Sequence, residues 1–242
     1  MTYPNDKFMT YLIWQIDPHD VVDDEQLGSK EKFWFLRSNE RWLFKESRLI
    51  CAPNYTEPTG EDWAEKAAAE IASLISVRAA RVELAEYENR RGSASLNFIS
   101  SGEHLEHGNE ILAGPVFGYD KTKRLKQSNH TIHNIVKAIK SMFSSELDAQ
   151  ILLEELAGYI VLDALIGNTD RHHENWGLLS HVVRIDDPVE DWDYPVKQRI
   201  YTVAPSFDHA SSLGRELLDS TRQSFLSQEK MVKYVKRGKG GI

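Results

Sequence analysis

The stretch Gly167-Asn-Thr-Asp-Arg-His-His-Glu-Asn-Trp-Gly-Leu-Leu179 is polar from Asn168 to Asn175 and lies between two apolar runs. Upstream, Glu146 to Ile166 follows a helical pattern made strongly apolar by Ile151, Leu152, Leu156, Ile160, Val161, Leu162 and Leu165, which predicts a buried helix. Gly167-Asn-Thr-Asp170 is a stop signal for it. Downstream, Trp176 to Leu179 with Val182 to Ile185, and then Arg199 to Val203, read as strands, with the acidic, proline-punctuated Asp186 to Pro195 a surface loop between them. A polar loop held by core elements on both sides needs a reason. Within it Asp170 and Asn175 stand five apart, a spacing that lets a carboxylate and an amide work on one ligand. The same spacing suits Asx residues that merely cap backbone groups.

Two further segments carry matching chemistry. Asp208 follows Asn175 in Val203-Ala-Pro-Ser-Phe-Asp-His-Ala-Ser-Ser-Leu213, where an apolar strand delivers an aromatic-Asp pair into small residues. Phosphoryl-transfer enzymes use that arrangement to bring a second metal-binding carboxylate beside nucleotide phosphates; alternatively, Asp208 caps the segment beginning at His209. Lys45 closes the run Trp42-Leu-Phe-Lys45. A lysine at a strand end reaches phosphates, and a helix carboxylate fixes its position. Glu65 is the candidate, with Glu70 the alternative, because sequence leaves the helix rotation open. Phosphoryl transfer demands cations against the triphosphate, oxygens to hold them and a group to orient the acceptor, all in one dry cleft. Lys45, Glu65, Asp170, Asn175 and Asp208 occur in the order of a bilobal kinase.

The first hundred residues support that order. Tyr11 to Ile16, Lys32 to Leu36, Arg41 to Lys45, Ala80 to Ala85 and Ser95 to Ile99 read as strands, with Ser38-Asn39-Glu40 turning Lys32 to Lys45 into a hairpin. One helix interrupts them: Thr59 as N-cap, Asp62 three residues on, and Trp63, Ala67, Ile71, Leu74 and Ile75 as an apolar stripe expected to face the sheet. Glycines 102, 108, 114 and 118 with Pro115 mark the change of texture, and the lobe boundary is expected near residues 101–115. Beyond it, Thr131 to Phe143 is a further helical pattern. The expected fold is α+β and bilobal, with a β-rich N-lobe over 1–105 and a mainly helical C-lobe over 106–242.

Composition bounds the function. The 242 residues carry 29 Lys+Arg against 37 Asp+Glu, a net charge of -8 that argues against sequence-blind nucleic-acid binding. The one cysteine, Cys51, excludes an internal disulfide and a thiolate-rich metal site, and the expectation is a reducing, cytoplasmic setting. No run approaches the roughly 18 apolar residues of a membrane span.

The segments Trp42-Leu-Phe-Lys45, Glu65 with Ala69-Glu-Ile-Ala-Ser-Leu-Ile75, Gly167-Asn-Thr-Asp-Arg-His-His-Glu-Asn175 and Ala204-Pro-Ser-Phe-Asp208 resemble the kinase domain of the HipA type, from about Glu25 to Tyr234. The Asn-Thr-Asp-Arg-His block also resembles the Asp-Arg-His-x-x-Asn loop of phosphatidylinositol kinases. The resemblance implies a serine/threonine protein kinase using Mg-ATP, often the toxin of a bacterial toxin-antitoxin pair, with a protein substrate and an antitoxin or operon-encoded partner. It implies Asp170 as catalytic base, Asn175 and Asp208 as magnesium ligands, Lys45 as phosphate contact, and His172 near the transferred phosphate; for His172 and His173 the alternative is a pair of surface imidazoles. The nucleotide-covering loop corresponds to Leu27-Gly28-Ser29-Lys30-Glu31-Lys32, with one glycine, where backbone N–H groups and Lys30 would meet phosphate and Ser29 matches a serine autophosphorylated in some relatives. Larger HipA-type proteins carry an extra N-terminal subdomain and more C-terminal helices, so a shortened C-lobe supported by helices within Glu216 to Lys236 is expected.

Three other readings compete: a lipid or small-molecule kinase, disfavoured by the acidic surface; a nucleotide-binding or inert kinase-like module acting through a partner; and a metal-dependent hydrolase on His172, His173 and His181. Adjacent histidines on a strand face opposite ways, and no H-E-x-x-H helix is present.

Overall fold

The computed structural model describes residues 11–24, 32–52, 55–123, 127–185, 196–215, 217, 219–225 and 227–236. Its first half is built on a six-stranded sheet. The strands are β1 (Ile13–Gln15), β2 (Val21–Asp24), β3 (Lys32–Arg37), β4 (Glu40–Glu46), then, beyond a two-stranded ribbon of β5 (Leu49–Ala52) and β6 (Tyr55–Pro58), β7 (Val82–Tyr87) and β8 (Arg90–Leu96). The order across the sheet is β1-β7-β8-β4-β3-β2, antiparallel except for β1 beside β7. The hairpin expected over Lys32 to Lys45 is present, with Phe33 opposite Phe44 and Lys32 opposite Lys45. Its turn residues Ser38 and Asn39 both have positive φ, as a two-residue hairpin turn requires. Side chains alternate across a strand, so Phe33, Phe35, Trp42 and Phe44 bury together with Ala85 and Ala94 on one face, and Lys45 points to the other.

Strand β8 begins earlier than the Ser95 to Ile99 run suggests. Its interior is Gly92-Ser-Ala-Ser95, residues with little strand preference, placed there by crowding: a Cβ on Gly92 would lie 2.2 Å from the Lys45 carbonyl oxygen. Helix α1 (Glu61–Leu74) packs against β7 and β8. It is rotated from expectation. Its buried residues are Glu61, Asp62, Ala64, Glu65, Lys66, Ala68 and Ala72, whereas Leu74 is 84 % exposed. Ala68 and Ala72 meet Leu162 and Ile166, and alanine permits that close approach where the larger stripe does not. The N-cap is Gly60, one residue after the expected Thr59.

The second half has a three-stranded antiparallel sheet, β9 (His104–His107), β10 (Gly177–Ile185) and β11 (Val196–Val203), in the order β11-β10-β9. Around it lie α2 (Gly108–Ala113), α3 (Ile132–Met142) and α4 (Glu146–Ile166), with short helices α5 (Asp219–Ser224) and α6 (Gln228–Val235) following. Thr131 caps α3, accepting the Asn134 N–H, and Ser145 caps α4, accepting the Asp148 N–H. Helix α4 has the expected bounds but is buried along one side only: Ala149, Leu152, Leu156, Tyr159, Leu162, Asp163 and Ile166 face inward, while Leu147, Ile151, Val161 and Leu165 are exposed. The expected buried helix is thus covered on one face only by the described residues. The loop expected over residues 186–195 lies outside the described residues. Among those described, no helix is long and apolar enough to cross a membrane.

Candidate active site

Helix α4 ends at Gly167, whose φ of +63° closes the helix through its N–H to the Asp163 carbonyl. The loop that follows is held by its own polar groups. Asn168 donates to Asp163 Oδ1 at 2.8 Å and accepts the Asp170 N–H at 3.1 Å. The Asp170 carbonyl accepts from the His172 N–H at 2.8 Å and from Asn175 Nδ2 at 2.8 Å. Among the described residues, Asp170 is thus held through its backbone, which leaves its half-buried carboxylate uncommitted. Asn175 is oriented by donating its amide hydrogen, so its amide oxygen remains for a ligand. The Asp-x4-Asn spacing therefore closes a ring in which both residues are positioned by one carbonyl.

Arg171 organises the loop from beneath and was not singled out in the sequence. It is 2 % exposed. Nε and Nη2 grip the two oxygens of Asp163 at 2.8 and 2.7 Å, Nη1 donates to the carbonyls of Asn175 at 2.6 Å and Phe207 at 3.1 Å, and Nη2 also reaches Ser206 Oγ at 3.0 Å. A buried arginine is tolerable only with such pairing. Asp163 is a lone carboxylate in the otherwise apolar end of α4, and that was the available signal: a buried charge demands an opposite one.

The segment after β11 supplies the opposite wall. Ser206 forms an isolated parallel bridge with Ala79: its N–H goes to the Arg78 carbonyl and its carbonyl accepts the Ala80 N–H, both at 2.9 Å. The Phe207 ring packs on Phe98 at 5.6 Å and His107 at 6.1 Å. Asp208 has a φ of +59°, uncommon for a residue other than glycine and a mark of backbone held against its preference. Lys45 Nζ donates to Asp208 Oδ1 at 3.2 Å. Glu65 was expected to fix Lys45; instead its Oε1 accepts the His209 N–H at 2.9 Å, while His209 Nε2 is hydrogen-bonded to Ser206 Oγ at 2.8 Å. Glu65 thereby clamps the backbone beside Asp208, and its Oε2 is buried with no hydrogen-bond partner. The alternative, Glu70, pairs with Lys66 at 2.7 Å.

Both loop histidines are buried, which removes the surface reading. His172 Nδ1 accepts the Glu174 N–H at 3.1 Å. His173 Nδ1 is hydrogen-bonded to the Tyr119 hydroxyl at 2.7 Å, where burial pushes the phenol up to about 12. Among the described residues, no group of three His, Cys, Asp or Glu side chains could hold a metal. This leaves no support for a hydrolase built on His172, His173 and His181. An Asn–Asp pair, however, fits magnesium, which takes one or two carboxylates and completes its shell with waters and phosphate oxygens. Gly28, Ser29 and Lys30 lie outside the described residues.

Together, a sheet-borne lysine, a helix glutamate, an Asp-x4-Asn loop and an aromatic-Asp segment on an α+β scaffold define a kinase-like fold. No protein-family model matches the chain, and no curated protein matches it by sequence. Among solved structures the fold is similar to the crystal structure of a Helicobacter pylori proinflammatory kinase, CtkA, with a TM-score of 0.72 and 19% identity over 96% of this chain and 72% of that one.

Proposed function

We propose that this protein is a Mg-ATP-dependent serine/threonine kinase of the HipA-like kind, acting on a protein hydroxyl from a cleft between lobes 1–105 and 106–242. The observation that carries the reading is the convergence of Lys45 on Asp208 at 3.2 Å, residues 163 apart in the chain, above a loop whose Asp170 carboxylate is uncommitted.

The residues divide the work. Lys45 meets the α- and β-phosphates, and the orphaned Glu65 Oε2 is the acceptor to which its ammonium moves once Asp208 is needed elsewhere. Asn175 and Asp208 hold magnesium, which when bound supplies positive charge against the triphosphate. Asp170 accepts the proton of the attacking hydroxyl as the oxygen bonds to the γ-phosphorus and the bond to the β–γ bridging oxygen breaks, releasing ADP. In this reading His172 is assigned to the transferred phosphate, and Gly28, Ser29 and Lys30 to covering the nucleotide. The single cysteine, exposed in the structure, fits a cytoplasmic protein, and an antitoxin or operon-encoded neighbour is the partner this reading suggests.

The test is transfer of labelled γ-phosphate, with nucleotide-induced thermal shift, in wild type, Asp170→Asn and Asp208→Asn. Loss of transfer in both, with Mg-ATP binding damaged chiefly by Asp208→Asn, supports the reading. Binding without any transfer in the wild type replaces it with an inert nucleotide-binding module, and absence of binding removes the ATP site.

A further inference from the structure

A cavity of about 140 Å³ lies between α3 and α4, behind the Asp-x4-Asn loop. Ile135, Val136, Leu153, Leu156 and Ala157 form its walls. Ile132 and Ile160, 53 % and 36 % exposed, stand at its mouth. The polar residues that reach it are Trp176, Tyr159 and the Asp163–Arg171 pair, and each has its polar atoms committed elsewhere. Trp176 Nε1–H donates to His130 Nε2 at 3.0 Å, the Tyr159 hydroxyl donates to the Ala204 carbonyl at 2.6 Å, and Arg171 grips both oxygens of Asp163. A buried water needs two to four polar partners. This lining is almost wholly apolar and keeps few acceptor sites unspent, so apolar matter is the better occupant. The volume is close to that of an engineered apolar cavity of about 150 Å³ that takes up benzene or xenon, and unlike that enclosed cavity this one opens to solvent past Ile132 and Ile160.

We propose that this cavity is a binding site for one uncharged apolar molecule of about the size of benzene or toluene. A charged or strongly hydrogen-bonding ligand finds no counterpart there and loses its hydration on entering. Because Trp176 and Arg171 form the floor, occupancy is felt directly beneath the loop that carries Asp170 and Asn175.

The probe is toluene, titrated into the 242-residue chain carrying ¹³C-labelled Ile, Leu and Val methyl groups and ¹⁵N-labelled tryptophan. Saturable shifts at Ile135, Val136, Leu153 and Leu156 methyls and at the Trp176 indole N–H are expected, with a rise in melting temperature of about 2–6 °C near saturation. Ala157→Leu, which fills the cavity, should abolish the shifts. Benzoate, a similar ring bearing a charge, should leave the wild type unmoved, which keeps the test decisive should that variant fail to fold. Absence of saturable shifts with toluene overturns the proposal, as do shifts spread over exposed Leu147 and Leu165, or an equal response to benzoate. No phosphate transfer is measured, so the outcome is independent of the proposed function.

Discussion

Arg171 makes five hydrogen bonds and is nearly inaccessible, so it serves the site by holding it. Removing its charge leaves Asp163 buried and unpaired, at a cost of about 3–5 kcal/mol. Arg171→Met is therefore expected to lower the unfolding free energy from urea titration by that amount, and the double variant Arg171→Met/Asp163→Leu to recover part of it, since two apolar groups replace a desolvated pair. Asp170 behaves oppositely. Its carboxylate holds no part of the loop together, so, if the proposed kinase reading holds, Asp170→Asn should lower the transfer rate about 10²–10⁴-fold while its unfolding free energy stays within about 0.5 kcal/mol of wild type. This contrast marks how far single residues were legible. Asp170, Asn175, Asp208 and Lys45 were singled out by residue type and spacing along the chain, and the structure brings Lys45 to Asp208 and Asn175 to the Asp170 carbonyl. His209 and Ser206 could not be, since their role exists only where Glu65 arrives from a helix 144 positions away.

Among the elements, hairpins and helix bounds were readable and rotation was not. The Lys32 to Lys45 hairpin follows from alternation, and α4 from its cap residues and Gly167. Helix α1 buries Ala64, Ala68 and Ala72 in place of its larger apolar stripe, because what decides its face is the distance to α4 and the pairing of Glu61 with Arg215 at 2.9 Å. Hydropathy alone carries neither fact. Ala68→Leu should overpack the contact with Leu162 and cost about 1–3 kcal/mol in denaturant titration, whereas Leu74→Lys should change stability by less than about 0.5 kcal/mol. Strand β8 offers a sharper case. Gly92→Ala would press its methyl on the Lys45 carbonyl and force β4 and β8 apart, so it should lower both the melting temperature and the nucleotide-induced shift. Intact nucleotide binding in that variant would show that Lys45 tolerates displacement.

At the scale of the whole molecule, the α+β kinase-like class was legible from the order of a few chemical groups. The strands β2, β5, β6 and β9 were not: each is only four residues long, too brief to register as periodic. Two phenols, buried Tyr159 and half-buried Tyr119, also shape the response to alkali. Burial raises Tyr119 to about 12 and raises Tyr159 as well, against an unfolded value near 10. The folded state therefore keeps its protons longer: the stabilisation is complete below pH ~10 and is lost as pH climbs towards ~12. Melting temperature should fall over that window, and less steeply in Tyr119→Phe.

The single rung between Ala79 and Ser206 joins the strand-rich half to the segment bearing Asp208. Its two backbone hydrogen bonds fix Ser206, two residues before Asp208, to the chain that leads into β7. If the protein binds Mg-ATP as proposed, this tie keeps Asp208 in register with the strand-rich half while nucleotide enters and leaves.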